Sequence, residues 1–119
     1  MSDLTTHLSQ LEGVLARYRD KGIENLIGGV SLPSSSGATF ETRSPVDDSL
    51  ICTVARGTEA DIDAAAAAAK AAFPAWRDLP AADRKKILIK IAEGIEARAE
   101  EIAVAECWDT GQAYRFMSK

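Results

Sequence analysis

The stretch Thr58-Glu59-Ala60-Asp61-Ile62-Asp63-Ala64-Ala65-Ala66-Ala67-Ala68-Ala69-Lys70-Ala71-Ala72-Phe73-Pro74-Ala75-Trp76 decides the fold. The Thr58 hydroxyl can cap a first turn, and Glu59 and Asp61 sit where a helix dipole favours acids. Ile62, Ala66, Ala69, Phe73 and Trp76 recur at steps of four, three, four and three, a single helical stripe. A stripe made mostly of alanine lets another backbone approach closely and buries little area itself, so it reads as a docking face. Pro74 lacks an N–H and clashes with the carbonyl of Lys70, which predicts fraying there.

Downstream, Trp76 and Leu79 anchor a crossing, and Pro80 suits the first position of the next helix. Ile87, Leu88, Ile91, Ile95 and Ile102 form its buried side, with Arg84, Lys85, Glu93, Glu96, Glu100 and Glu101 mostly on the wet side. Gly94 lowers helix propensity by about 1 kcal/mol, and a break is expected between Ala97 and Glu100. Asp109-Thr110-Gly111 ends the segment with Gly111 as a left-handed stop, and an apolar-basic pattern restarts from Ala113 to Lys119.

Upstream, residues 3–21 predict a helix with an apolar stripe of Leu4, Leu8, Leu11, Leu15 and Tyr18, capped by Asp3 and closed by Gly22. Asn25 to Val30 and Ala38 to Arg43 read as two strands around the Pro33-Ser34-Ser35-Ser36-Gly37 breaker, an expected antiparallel hairpin. Gly28-Gly29 has neither GxGxxG nor Walker spacing, so it reads as a turn rather than a phosphate loop. Leu50 to Ala55 is a third strand, apolar at Ile51, Val54 and Ala55. The fold class is therefore α+β and helix-rich: helix 1–22, hairpin and third strand 23–57, helical segment 58–119.

Composition narrows the function. The chain has 119 residues, 46% hydrophobic and 27% charged, enough for one domain with a modest core. Net charge is −4 with scattered Lys and Arg, which argues against a nucleic-acid partner. No apolar run spans a membrane and no secretion signal opens the chain. Cys52 and Cys107 lack CxxC spacing and read as reduced, buried and cytoplasmic. His7, the only histidine, lies near the terminus of the first helix and supports no catalytic triad. Cys107 lies between Glu106 and Trp108, and an acidic neighbour raises a thiol's pKa. The residues assemble no self-sufficient active site.

A resemblance carries the reading further. The order Asn25-Leu26-Ile27-Gly28-Gly29, Ser36-Gly37-Ala38-Thr39-Phe40-Glu41, Ser44-Pro45 and Val54-Ala55-Arg56-Gly57-Thr58-Glu59-Ala60-Asp61-Ile62-Asp63-Ala64-Ala65 comes first. Ala71-Ala72-Phe73, Trp76, Arg84 and Asp109-Thr110-Gly111 follow. Together these resemble the N-terminal part of the NAD(P)-dependent aldehyde dehydrogenases, from about Asn25 onward. The ending, Glu106 to Gln112 with Arg115-Phe116-Met117, resembles the branch that oxidises 5-carboxymethyl-2-hydroxymuconate semialdehyde in aromatic catabolism.

The resemblance implies an α/β nucleotide-binding domain in a longer, homo-oligomeric enzyme using NAD or NADP. Its chemistry is a cysteine nucleophile, an Asn and backbone oxyanion hole, and a glutamate that activates water. Neither Cys52 nor Cys107 matches the nucleophile's motif, so this piece is expected to be inactive alone. Its expected partner is the remainder of the subunit, or another copy through exposed apolar helix faces. The resemblance also places a K⁺ or Na⁺ site on main-chain oxygens of Thr42 and Arg43 and on Asp109. Here Arg43 brings a cation close, Ser44 stands for the usual Asn, and Gln112 stands where many relatives have Lys. Alternatively, Asp109 only satisfies backbone donors at a helix end. A rival reading of the whole chain is an independent interaction module that uses the alanine-rich face.

Overall fold

The computed structural model describes residues 3–117, apart from the side chains of residues 3, 4, 7 and 10. The expected Asp3 cap, the Leu4 stripe position and the His7 side chain lie outside these described residues. In order the elements are α1 (Asp3–Lys21), β1 (Asn25–Ile27), β2 (Val30–Leu32), β3 (Thr39–Arg43), β4 (Leu50–Ala55), α2 (Glu59–Asp78), α3 (Ala81–Glu96), α4 (Ala99–Thr110) and α5 (Tyr114–Met117). This is the helix-rich α+β class expected. The elements fall into two compact units that interleave along the chain.

The first unit takes the chain up to Ile23, then Thr39–Val54, then from Arg98 on. α1 packs on α4 through the stripe expected of it: Leu11 and Leu15 are buried and Tyr18 half-buried, joined by Val14, while Leu8 is exposed. Leu11, Leu15, Ile51, Cys52 and Val104 form the core, with Tyr18, Val54, Trp108 and Tyr114 against it. Burying each large aliphatic side chain contributes about 1.5–3 kcal/mol. α1 stops where Gly22 turns left-handed, at φ +69°, its N–H donating to the Tyr18 carbonyl over 2.7 Å. A Cβ there would lie 2.7 Å from the Thr53 carbonyl oxygen, so only glycine fits.

The second unit comprises Glu24–Ala38 and Ala55–Ala97. β1 and β2 pair antiparallel in register Asn25 to Leu32 and Ile27 to Val30. Gly28 and Gly29, both at positive φ, make the two-residue turn between them. Sequence placed this pairing differently. The expected strand 25–30 is itself folded in two, and the expected partner, β3, pairs with β4 instead. The reason is local: consecutive glycines form a tight primed turn, whereas Ser34 and Ser35 are drawn to the start of α2. The 44–49 connection is too short for a parallel crossover, so β3 and β4 run antiparallel.

α2 begins as expected. Thr58 is the N-cap, and a capping box joins its hydroxyl to the Asp61 N–H and the Asp61 carboxylate to the Thr58 N–H. The predicted fraying at Pro74 does not occur; α2 runs on to Asp78. Beyond the proline, the Arg84 guanidinium donates to the carbonyls of Arg77 and Leu79 and occupies acceptors a helix end leaves open. Pro80 is the N-cap of α3, one position earlier than expected. α3 gives way to α4 between Glu96 and Ala99, and Gly111 closes α4 at φ +73°, both as read from sequence.

Burial departs from the sequence reading in this unit. Ala65 and Ala68 are the half-covered side of α2, with the Ala68 Cβ 3.8 Å from where a Gly28 Cβ would sit. The stripe of Ile62, Ala66, Ala69, Phe73 and Trp76 is exposed. So are Ile87, Leu88, Ile91 and Ile95, the residues assigned to a buried side of α3. Ile102, in α4 of the first unit, is exposed as well.

Candidate functional site

The first unit contains a cavity of about 370 Å³ whose walls include Val14, Leu15 and Tyr18 of α1 and Ile51 of β4. Its charged lip carries Arg98, Glu101, Glu106 and Asp109, and Thr42 lines it from β3. Thr42 and Asp109, two of the three residues the sequence picked out for a cation, therefore face one space. Arg43 does not line it. Its guanidinium is exposed, bound to the Glu41 carboxylate at 2.7 Å and the Asp48 carbonyl at 3.0 Å, and the Glu41 bond raises its pKa.

Ser44 explains why β3 and the last turn of α4 meet, and sequence reading passed over it as a replacement for Asn. It is 1% exposed, and its hydroxyl donates to the Trp108 carbonyl at 2.6 Å while accepting from the Val46 N–H. Its own N–H donates to the Ser49 carbonyl and its carbonyl accepts from Asp48, closing the β3–β4 turn. The only legible sign was Ser44-Pro45-Val46-Asp47-Asp48-Ser49 itself, a turn-forming run whose serine can bond its own backbone.

Electrostatics at the lip are largely settled by pairing. Glu101 accepts from the Arg98 guanidinium at 2.8 Å and from Arg17, and these bonds hold its pKa down at about 2. That leaves Glu106 and Asp109 as the carboxylates not engaged with Arg98. Cys52 is buried, and burial first, then the Asp109 charge, raises its pKa. Cys107 is only partly covered; burial and then Glu106 raise its pKa too. Neither thiol is an activated nucleophile. Among the described residues no cluster of three or more His, Cys, Asp or Glu is placed to hold a metal ion, and no helix is long and apolar enough to cross a membrane.

A polar knot in the second unit ties its loop to α2. The Asp61 carboxylate, 8% exposed, accepts from the backbone N–H of Ser35 at 3.0 Å and of Thr58 at 2.8 Å. Ser34 and Thr58 hydroxyls approach it as well, and Ser34 also donates to the Arg56 carbonyl at 2.6 Å. The Thr58 amide bond is the largest cause of a pKa below the ordinary value. Fully engaged by its own loop, this acid is a scaffold. Gly28-Gly29 likewise serves a hairpin, with no helix starting at it, so the described residues offer no dinucleotide cradle.

A model of the aldehyde dehydrogenase family matches residues 31–119. The chain belongs to that family. A probable aldehyde dehydrogenase of Streptomyces coelicolor is 38% identical over 104 residues, 87% of this chain and 20% of the relative. Among solved structures, HpcC from Thermus thermophilus matches with a TM-score of 0.89 at 39% identity, over 93% of this chain and 22% of that one. Betaine aldehyde dehydrogenase from Staphylococcus aureus in complex with NAD⁺ matches with a TM-score of 0.83 at 26% identity, over 92% and 22%. The chain thus spans about a fifth of the length of the aldehyde dehydrogenases it matches.

Proposed function

We propose that the chain is the N-terminal part of a cytoplasmic, homo-oligomeric NAD(P)-dependent aldehyde dehydrogenase that oxidises an aldehyde, 5-carboxymethyl-2-hydroxymuconate semialdehyde, to the acid. The observation that carries the reading is the match to HpcC over nearly all of this chain and about a fifth of that one. The NAD⁺ complex of the Staphylococcus aureus relative supports NAD as cofactor, and the Glu106–Gln112 ending supports the semialdehyde. The cofactor supplies the hydride acceptor, held by residues outside this chain. These residues form the support: the Ser44 bond to Trp108 fixes Asp109 beside β3. The main-chain oxygens of Thr42 and Arg43, the latter outside the cavity lining, together with Asp109 are proposed to hold a K⁺ or Na⁺ ion.

With both thiol pKa values raised and no dinucleotide cradle among the described residues, the chain alone is proposed to be inactive. The test is to incubate the 119-residue chain with NAD⁺ or NADP⁺ and a panel of semialdehydes, following nicotinamide reduction. No turnover is expected, whereas the product of a reading frame extended past Lys119 turns over. Turnover by the short chain, or an extension lacking a cysteine nucleophile, overturns the proposal.

A further inference from the structure

The cavity of the first unit joins an apolar wall to a lip with surplus negative charge. Val14 and Leu15 of α1, Ile51 of β4 and Ile102 of α4 build the wall. At the lip one guanidinium, Arg98, stands against three carboxylates, Glu101, Glu106 and Asp109. Arg98 is held by Glu101 through bonds of 2.8 and 3.1 Å, and Glu101 takes Arg17 as well. Among the described residues no cation pairs with Glu106 or Asp109. Their place on α4 makes this costly. Ile102, Ala105, Glu106 and Asp109 follow helical steps of three, one and three, so one face of α4 turns to the cavity. A helix C-terminus carries partial negative charge and favours bases, yet the last turn of α4 contains Asp109 and no base. Three of its closing carbonyls are answered by neutral donors: the Thr110 hydroxyl on Glu106, the Ser44 hydroxyl on Trp108 and the Gly111 N–H on Cys107. Local rules broken without compensation concentrate at functional sites.

We propose that this cavity binds a small hydrophobic monocation, a primary ammonium on an alkyl or arylalkyl stem. The stem lies along Val14, Leu15, Ile51 and Ile102, and the ammonium donates to the Glu106 and Asp109 carboxylates. Charge-assisted bonds of this kind are about twice as strong as neutral ones, and the helix dipole adds to the attraction. The same lip repels an anion, and a neutral ligand leaves both carboxylates without a counter-charge. At about 370 Å³ the cavity falls within the range of small-molecule sites, roughly 300–1,000 Å³. The site shares Asp109 with the proposed K⁺ or Na⁺ ion but adds Glu106, and it needs neither the ion nor the catalytic reading.

Titration of the 119-residue chain with phenethylammonium in buffer free of potassium and sodium, followed by amide NMR, tests it. Shifts at Tyr18, Ile51, Ala105 and Glu106 are expected, with a dissociation constant on the order of 1 mM. Phenethyl alcohol and 3-phenylpropionate bind roughly tenfold more weakly. Glu106→Gln weakens the amine by about tenfold and leaves potassium binding unchanged, which separates this site from the ion site. Because the two acids oppose a helix end, Glu106→Gln with Asp109→Asn melts no lower than the parent while losing the amine. The product of a reading frame extended past Lys119 binds the amine too. Equal binding of the alcohol, unchanged affinity in Glu106→Gln, a double variant melting below the parent, or no shifts up to ~20 mM amine overturns the proposal. So does loss of the site in the longer product, which shows that the rest of the subunit fills the cavity.

Discussion

The two units are held together by different physics. Among the described residues, every buried hydrophobic one, Leu11, Val14, Leu15, Ile51, Cys52, Ala103 and Val104, lies in the first unit. In the second, the buried residues are Ser34 and Asp61, and most of its large apolar side chains are exposed, Ile27 and Leu79 being half-buried. One unit rests on removal of apolar surface from water, the other on backbone ladders, caps and a carboxylate shared by a loop and a helix. Helical pattern alone does not distinguish them, since α3 has as regular a stripe as α1. A stripe states that a face wants cover; it does not say whether the cover lies in the same unit.

Core truncation draws the contrast most sharply. Leu15→Ala, at a residue 2% exposed, is expected to cost about 2–5 kcal/mol in urea unfolding. Ile91→Ala, measured in dilute solution, is expected to cost less than about 0.5 kcal/mol. Comparable losses would mean that α3 is covered after all.

Glycine replacement comes next. Gly22→Ala in the first unit meets the Thr53 carbonyl at a positive φ and is expected to destabilise by about 1–3 kcal/mol. Gly94→Ala in α3 meets nothing and is expected to stabilise by roughly 0.5–1 kcal/mol, read from thermal melts of dilute protein.

The acids sharpen the comparison by smaller steps. Asp61→Asn is expected to speed hydrogen exchange at the Ser35 and Thr58 amides and leave amides of α1 and α4 unchanged. Glu101→Gln is expected to loosen α1 against α4 and leave the Asp61 knot intact. Both carboxylates have folded pKa values below the ordinary range. Their contributions are therefore fully present above the unfolded value near 4 and lost as pH falls through the folded values, about 2 for Glu101. NMR titration of the two side chains checks the order; a Glu101 midpoint at about 4 or above contradicts the Arg17 and Arg98 pairing.

Much of the fold was legible because its signals are local. Thr58, Gly22 and Gly111 mark ends by side-chain or backbone geometry that neighbours cannot overrule, and the α3–α4 break fell between Glu96 and Ala99. Strand pairing and Pro74 were misread for the opposite reason: a partner strand, or a guanidinium reaching back from Arg84, is non-local. The site was legible only in part. Thr42 and Asp109 face one cavity, yet nothing in the order of residues signalled that Ser44 would bond the Trp108 carbonyl 64 positions later.

The Asp61 knot has a consequence for cleavage. Because the 34–37 loop and the opening turn of α2 share the Asp61 carboxylate, the Ser34 bond to the Arg56 carbonyl and the Ser35–Thr58 hydroxyl pair, they let go together. A protease needs its target strand drawn out straight, so scission in that serine-rich bend must wait until the helix start has unravelled. The rate of nicking there then becomes a clock for the opening of α2.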